Sequence, residues 1–175
     1  QFARAQEVAR SHGWTRFIAM QNQLNLLYRE EEREMLPLCA AEGVGVIPWS
    51  PLARGRLTRP WGESTVRSET DVVGKALYKS EDEADRAVVD ALAALAAARG
   101  EAMASLGLAW HFTKPQVAAP IIGATKPAHI ADAVRALDLA LSADEIAALE
   151  APYRPKLPTG MGMPMPAMDR VSLRD

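Results

Sequence analysis

The chain has 175 residues, 49% of them hydrophobic and 24% charged, with a formal net charge of −2. That balance suits a folded domain with a real core, and it supplies no overall basic field for nucleic acid or an anionic membrane. No apolar stretch reaches the roughly 18–20 residues that span a bilayer, and the single cysteine, Cys39, excludes an intrachain disulfide and a CxxC metal site.

Residues 1–10 carry charges throughout and lack the apolar run of a signal peptide. They read as the middle of a helix within a larger, cytoplasmic protein. Phe2, Ala5, Val8 and Ala9 share helical spacing, and Gly13 ends that helix. Arg16 to Gln21 is a predicted strand. Arg29 to Glu42 is a predicted helix, with Met35, Leu36 and Cys39 on one face and Gly43 just past its end. Val44 to Trp49 is the next strand. Leu52 to Lys79 has no sustained period and contains Pro60, Gly62 and Gly74, so it reads as a functional loop. The stretch from Ser80 to Glu83 has capping-box form and opens a helix with a stripe of Val88, Ala91, Leu92, Leu95 and Ala98, closed by Gly100. A further helix covers Ala102 to Phe112. Val117 to Ile122 is a strand with Pro120 inside it, and Pro127 suits the first turn of a helix to Leu137. Ser142 to Glu145 is a second capping box, opening a helix to Glu150. The chain then divides into a domain over 1–153 and an extended, Pro- and Met-rich tail over 154–175.

Strands alternating with helices predict parallel βαβ units. Only about three strands are visible, whereas a closed (β/α)₈ barrel needs eight and typically about 250 residues. A three-stranded parallel sheet leaves edges unpaired and one face bare, so something beyond these residues is expected to complete it. The segment 45–57 is the most pointed in the chain. A buried strand runs into Pro48, Trp49, Ser50 and Pro51, and then into a turn carrying Arg54 and Arg56. An aromatic surface beside backbone N–H groups that can face an anion points to a phosphate-bearing cofactor with a flat ring.

Three stretches carry a resemblance: Gln21-Asn-Gln-Leu-Asn-Leu-Leu-Tyr-Arg-Glu-Glu-Glu-Arg-Glu34, Val-Ile-Pro-Trp-Ser-Pro-Leu-Ala-Arg-Gly over 46–55, and Pro-Ile-Ile-Gly-Ala-Thr-Lys-Pro over 120–127. In order and spacing they resemble the aldo-keto reductases, over Gln1 to about Tyr153. The resemblance implies an incomplete α/β fold, the C-terminal half of a (β/α)₈ TIM barrel with strands six to eight and their helices. It also implies reduction of aldehydes or ketones by hydride transfer from NADPH. The family's catalytic Asp, Tyr, Lys and His come from the other half, so no catalytic residue is assigned here. Gln21 would hydrogen-bond the nicotinamide carboxamide, and Trp49 would stack on the ring. Ser50, Leu52 and Arg54 would wrap the pyrophosphate. Gly123, Thr125 and Lys126 would form an anion-binding turn into a helix, with Lys126 and His129 near a 2′-phosphate and Asp132 near the adenine amine. His129, Thr125, Ala133 and Leu24 depart from residues frequent in the family, which weakens the 2′-phosphate and adenine contacts. His129 also fits a plain exposed helix residue.

Other residues read as structural. Cys39 fits a buried, inert helix face, His111 a helix end, and Glu30, Glu31, Glu32 and Glu34 a solvated helix start. Gly43-Val-Gly45 lacks the third glycine of a dinucleotide fingerprint. The tail methionines Met161, Met163, Met165 and Met168 suggest partner packing or disorder more than a soft-metal site. Two functions stand side by side. One is the cofactor-binding half of an NADPH-dependent reductase, inactive alone. The other is a non-catalytic half-barrel that assembles through its open edges. Expected partners are the nicotinamide cofactor, a small carbonyl substrate and a complementary half or second copy, with no nucleic acid or membrane.

Overall fold

A computed structural model describes residues 1–63, 78 and 83–156. The capping box expected at Ser80 and the tail methionines lie outside the described residues. Helix α1 spans Phe2–Ser11, and Gly13 ends it at φ +66°, with the Trp14 N–H returning to the Ala9 carbonyl at 2.8 Å. Its inner face holds Gln6 and Ala9, whereas Ala5 is exposed. Gln6 is buried because its amide satisfies both backbone groups of Phe17, donating to the carbonyl and accepting from the N–H, each at 2.9 Å.

Strands β1 (Ala19–Met20) and β2 (Gly45–Val46) pair in parallel, with Ala19 opposite Gly45 and Met20 opposite Val46. The regular ladder is shorter than the expected strands, but its hydrogen bonding continues. Gly45 N–H donates to Ile18 O at 3.0 Å, Ile47 N–H to Met20 O at 2.9 Å, and Trp49 N–H to Asn22 O at 2.9 Å. The third expected strand appears as two parallel bridges, Val46 with Val117 and Trp49 with Ile121. Pro48 and Pro120 supply no N–H, which interrupts a continuous ladder there. The strand order is β1, β2, then the 117–121 segment.

Helix α2 covers Met35–Glu42 and follows a separate 3₁₀ turn at Glu30–Glu32. The single helix expected from Arg29 is therefore broken. In an unbroken helix the ring of Pro37 would meet the carbonyl of Arg33. Helix α3 spans Glu83–Arg99 and buries Asp85, Val88, Val89, Leu92 and Ala96. That stripe is rotated from the expected one, and Ala98 is exposed. Helix α4 (Met103–His111) is buried on every side. Gly107 lets the neighbouring segments close on it, since a Cβ there would lie 3.2 Å from Leu52 Cδ2. Helix α5 (Pro127–Arg135) continues into a 3₁₀ turn, Ala136–Asp138. Helix α6 (Ala143–Glu150) opens with the expected capping box, in which Ser142 Oγ accepts from Glu145 N–H and Glu145 accepts from Ser142 N–H.

The main core gathers Leu24, Leu57, Leu92, Leu106, Trp110 and Leu149, while a smaller cluster of Cys39, Val44 and Val46 lies under Phe2, Met20 and Met35. Ala19 and Ala118, on the opposite side of the strands from Val46, are exposed. Ile18 is 80% exposed beside β1, and Ile130, Val134 and Leu137 are 54–66% exposed on and just after α5. An amphipathic helix normally buries such positions. This mixed α/β arrangement, with apolar residues exposed beside β1 and on α5, is consistent with part of a (β/α)₈ barrel.

An ionic network ties α4 and α6 to the segment after β1. Glu150 accepts from Trp110 Nε1 (2.8 Å), Lys114 Nζ (2.7 Å) and Arg29 Nη2 (2.7 Å). Glu30 accepts from Tyr153 Oη and Lys156 N–H, each at 2.7 Å. The acidic run is thus not a solvated helix start. Glu30 is buried, and Glu32 pairs with Arg29 and Lys114, so this part of the run fastens the end of the domain. Only Glu34 remains exposed as expected.

Candidate functional site

Three chain segments leave the sheet at the same end. Gln21 follows β1, Trp49 and Ser50 follow β2, and 121–126 follows the third strand. The Trp49 N–H to Asn22 O bond and the Ile121 N–H to Pro48 O bond (2.8 Å) hold them side by side. Gln21 is exposed, Trp49 and Ser50 are half-buried, and Gly123, Thr125, Lys126 and His129 are exposed.

The turn after Trp49 is strained. Ser50 (φ 55°), Ala53 (φ 47°) and Arg54 (φ 55°) all occupy the left-handed region without being glycine. Each costs on the order of 1–3 kcal/mol, and such residues cluster where ligands are held. The N–H groups of Ala53, Gly55, Arg56 and Leu57 donate to carbonyls within the turn. These four groups are therefore engaged within the turn itself. Leu52 is half-buried, with its side chain against the main core, which leaves it only a backbone role toward a ligand. Arg56 lies 5.3 Å above the Tyr78 ring and donates to its carbonyl at 3.2 Å, so it is engaged in holding Tyr78.

Lys126 stands at the extended N-cap of α5, with Pro127 in the first turn. His129 reaches back one turn, and its Nδ1 lies 3.3 Å from the Thr125 N–H. In the neutral ring that contact makes Nδ1 the acceptor and leaves the proton on Nε2, so His129 shapes the turn as well as facing outward. Asp132 is half-buried, and its backbone carbonyl accepts from Ser105 Oγ at 2.9 Å.

Asn25 and Gln23 are not among the residues to which the sequence points. Asn25 is fully buried. Its Oδ1 accepts from Leu27 N–H (2.9 Å), and its Nδ2 donates to Ser50 O (2.9 Å) and Tyr78 Oη (3.1 Å). It therefore clamps the strained residue. The available signal was a polar residue inside the otherwise apolar 24–28 run. Cys39 is buried as expected, and burial together with nearby Glu31 raises its thiol pKa. His111 is fully buried, with its two ring nitrogens each 2.9 Å from the carbonyls of Gly107 and Leu24. Burial lowers its pKa although those carbonyls favour the charged form. Among the described residues no His, Cys, Asp and Glu group is placed to hold a metal, and no helix is long and apolar enough to cross a membrane.

Loops gathered at one end of parallel strands mark the ligand-binding end of α/β proteins, barrels included. Comparison with known proteins narrows the class. The aldo/keto reductase family matches residues 1–154. The chain is 44% identical over 158 residues to versiconal hemiacetal acetate reductase of Aspergillus parasiticus, covering 89% of this chain and 46% of that protein. Aldo-keto reductases of Metarhizium robertsii and Fusarium vanettenii are 43% and 41% identical, each match covering 89% of this chain and 42% of the relative. The chain belongs to the aldo/keto reductase family. It spans less than half the length of these curated relatives.

Proposed function

We propose that this chain is the cofactor-binding, C-terminal half of an NADPH-dependent aldo-keto reductase barrel that reduces aldehydes or ketones. The observation that carries this is the juxtaposition of Gln21, the Trp49–Ser50 turn and the 121–126 turn at one end of the parallel strands. Their chemistry fits the cofactor. An exposed amide suits the carboxamide, and a half-exposed indole offers a stacking face for the nicotinamide. The Ser50 hydroxyl and Arg54 suit the pyrophosphate. Lys126 and His129 at a helix N-terminus suit the 2′-phosphate. Bound there, the cofactor supplies the hydride, while these residues bind and orient it. The family's catalytic acid and base groups belong to the complementary half, so the chain alone reduces nothing. Joined to the N-terminal half of a relative, it should oxidise NADPH in the presence of a simple aldehyde. The 175-residue chain alone should show no oxidation above a Trp49→Ala control. A folded, joined barrel that does not bind NADPH would refute the proposal.

A second reading rests on the exposed flanks at Phe17 and Ile18 and at Ile130, Val134 and Leu137. In it the chain acts without chemistry and pairs through its open sheet edges with a second copy. Sedimentation should then report a dimer or larger species, and a stable monomer at high concentration would end this reading.

A further inference from the structure

Tyr78 is buried, although it comes from the long segment between β2 and α3. Its hydroxyl lies at the centre of a polar cluster. Asn25 Nδ2 and Gln23 Nε2 both donate to Tyr78 Oη, each at 3.1 Å. The Asn25 amide has its orientation fixed by the Leu27 N–H on one side and the Ser50 carbonyl on the other. With two donors on its oxygen, Tyr78 has a single hydrogen left to give, and Ser50 Oγ lies 3.4 Å away. When Ser50 accepts that hydrogen, its own hydrogen is free to point away from Tyr78 toward another acceptor. The Tyr78–Ser50 contact is long for a hydroxyl pair. An anionic oxygen accepting from Ser50 would polarise the chain of hydrogen bonds and shorten it. Arg56, packed on the Tyr78 ring and bonded to its carbonyl, fixes the phenol in place.

We propose that Tyr78 is a positioning residue, whose hydroxyl orients that of Ser50 as an outward hydrogen-bond donor to a phosphate oxygen. The assignment rests on the reading of this turn as a dinucleotide site, and the experiment separates the two. NADPH affinity is measured by NMR titration for the full 175-residue chain and for Tyr78→Phe, Ser50→Ala and the double variant. Backbone hydrogen exchange is followed in the same samples without ligand.

Tyr78→Phe keeps the ring and its contact with Arg56, and should weaken NADPH binding about tenfold, the scale of one hydrogen bond to a charged group. Ser50→Ala should do the same, and the double variant should bind no more weakly than either single. That non-additivity is a readout a merely structural role would not produce. Equal affinity in Tyr78→Phe and the parent, or fully additive losses, would overturn the proposal. Gln23→Met removes one donor from outside the turn, and should weaken binding in the same direction if Tyr78→Phe does not fold. If the parent chain binds no NADPH, the cofactor reading of the turn fails by itself. Hydrogen exchange then decides the role of Tyr78. Faster exchange at Ala53, Gly55 and Leu57 in Tyr78→Phe supports its hold on the turn, and unchanged exchange removes it.

Discussion

Replacing Glu150 with alanine should cost about 1–3 kcal/mol, the range for leaving a buried donor without its acceptor, since the cluster is only partly buried and Glu32 still pairs with Arg29 and Lys114. Three donors converge on this one carboxylate, from Trp110, Lys114 and Arg29. Trp110 is fully buried, so its indole N–H would lose its only acceptor among the described residues. The cations of Lys114 and Arg29 would remain against the same ring, at 4.8 and 5.8 Å from its centroid. Glu150→Gln keeps an acceptor for Trp110 and should cost less.

The same group makes the fold sensitive to acid. Burial alone would push the Glu150 carboxyl up, but the bonds from Lys114 and Trp110 and the charges of Lys114 and Arg29 outweigh it and hold its pKa below the ordinary carboxylate value. Glu30 behaves alike, with burial outweighed by Lys156 N–H, the Tyr153 hydroxyl and Arg33. A depressed folded pKa means stability that is complete above the unfolded carboxylate pKa and lost as pH falls through the folded one. The melting temperature should therefore fall steeply in that acidic window, and Glu150→Gln should flatten the fall. Thermal unfolding followed from neutral to acidic pH checks both, and a parallel decline in parent and variant would contradict the assignment.

Local chemistry in the sequence located much of this architecture. Gly13, Gly43, Pro127 and the Ser142–Glu145 box fix helix ends through interactions a few residues long, and all four act as their residue types suggest. The strands were legible as apolar runs, but the ladder length was not, since it depends on where Pro48 and Pro120 fall opposite their neighbours. The Glu30–Glu32 segment misled because its partners Tyr153, Lys156 and Lys114 lie far along the chain. Short-range charge patterns carry no trace of them. The candidate site was legible in part from the residues of the 45–57 segment and otherwise through the resemblance. Gln21, Trp49 and Lys126 stand at strand or helix ends, where a loop reading finds them. Asn25, Gln23 and Tyr78 do not, because their meaning arises only when the Tyr78 hydroxyl meets the two amides and Ser50 across the fold. The strain at Ser50, Ala53 and Arg54 was invisible too, since none of the three is a residue that announces a left-handed backbone.

Trp49→Ala should weaken NADPH binding by about tenfold, through loss of stacking area and of the ring–ring term. The loss should be specific, because the Trp49 backbone bond to Asn22 does not depend on the indole. The most direct measurement is an NMR titration of the 175-residue chain with NADPH to millimolar concentration, with Trp49→Ala beside it and NADH as a second ligand. The account predicts shifts at Gln21, at Trp49 and Ser50, and at Gly123 to Lys126. It predicts weaker binding in Trp49→Ala, and a difference between NADPH and NADH at Lys126 and His129. Shifts confined to other surfaces, or none at these three segments, would contradict it.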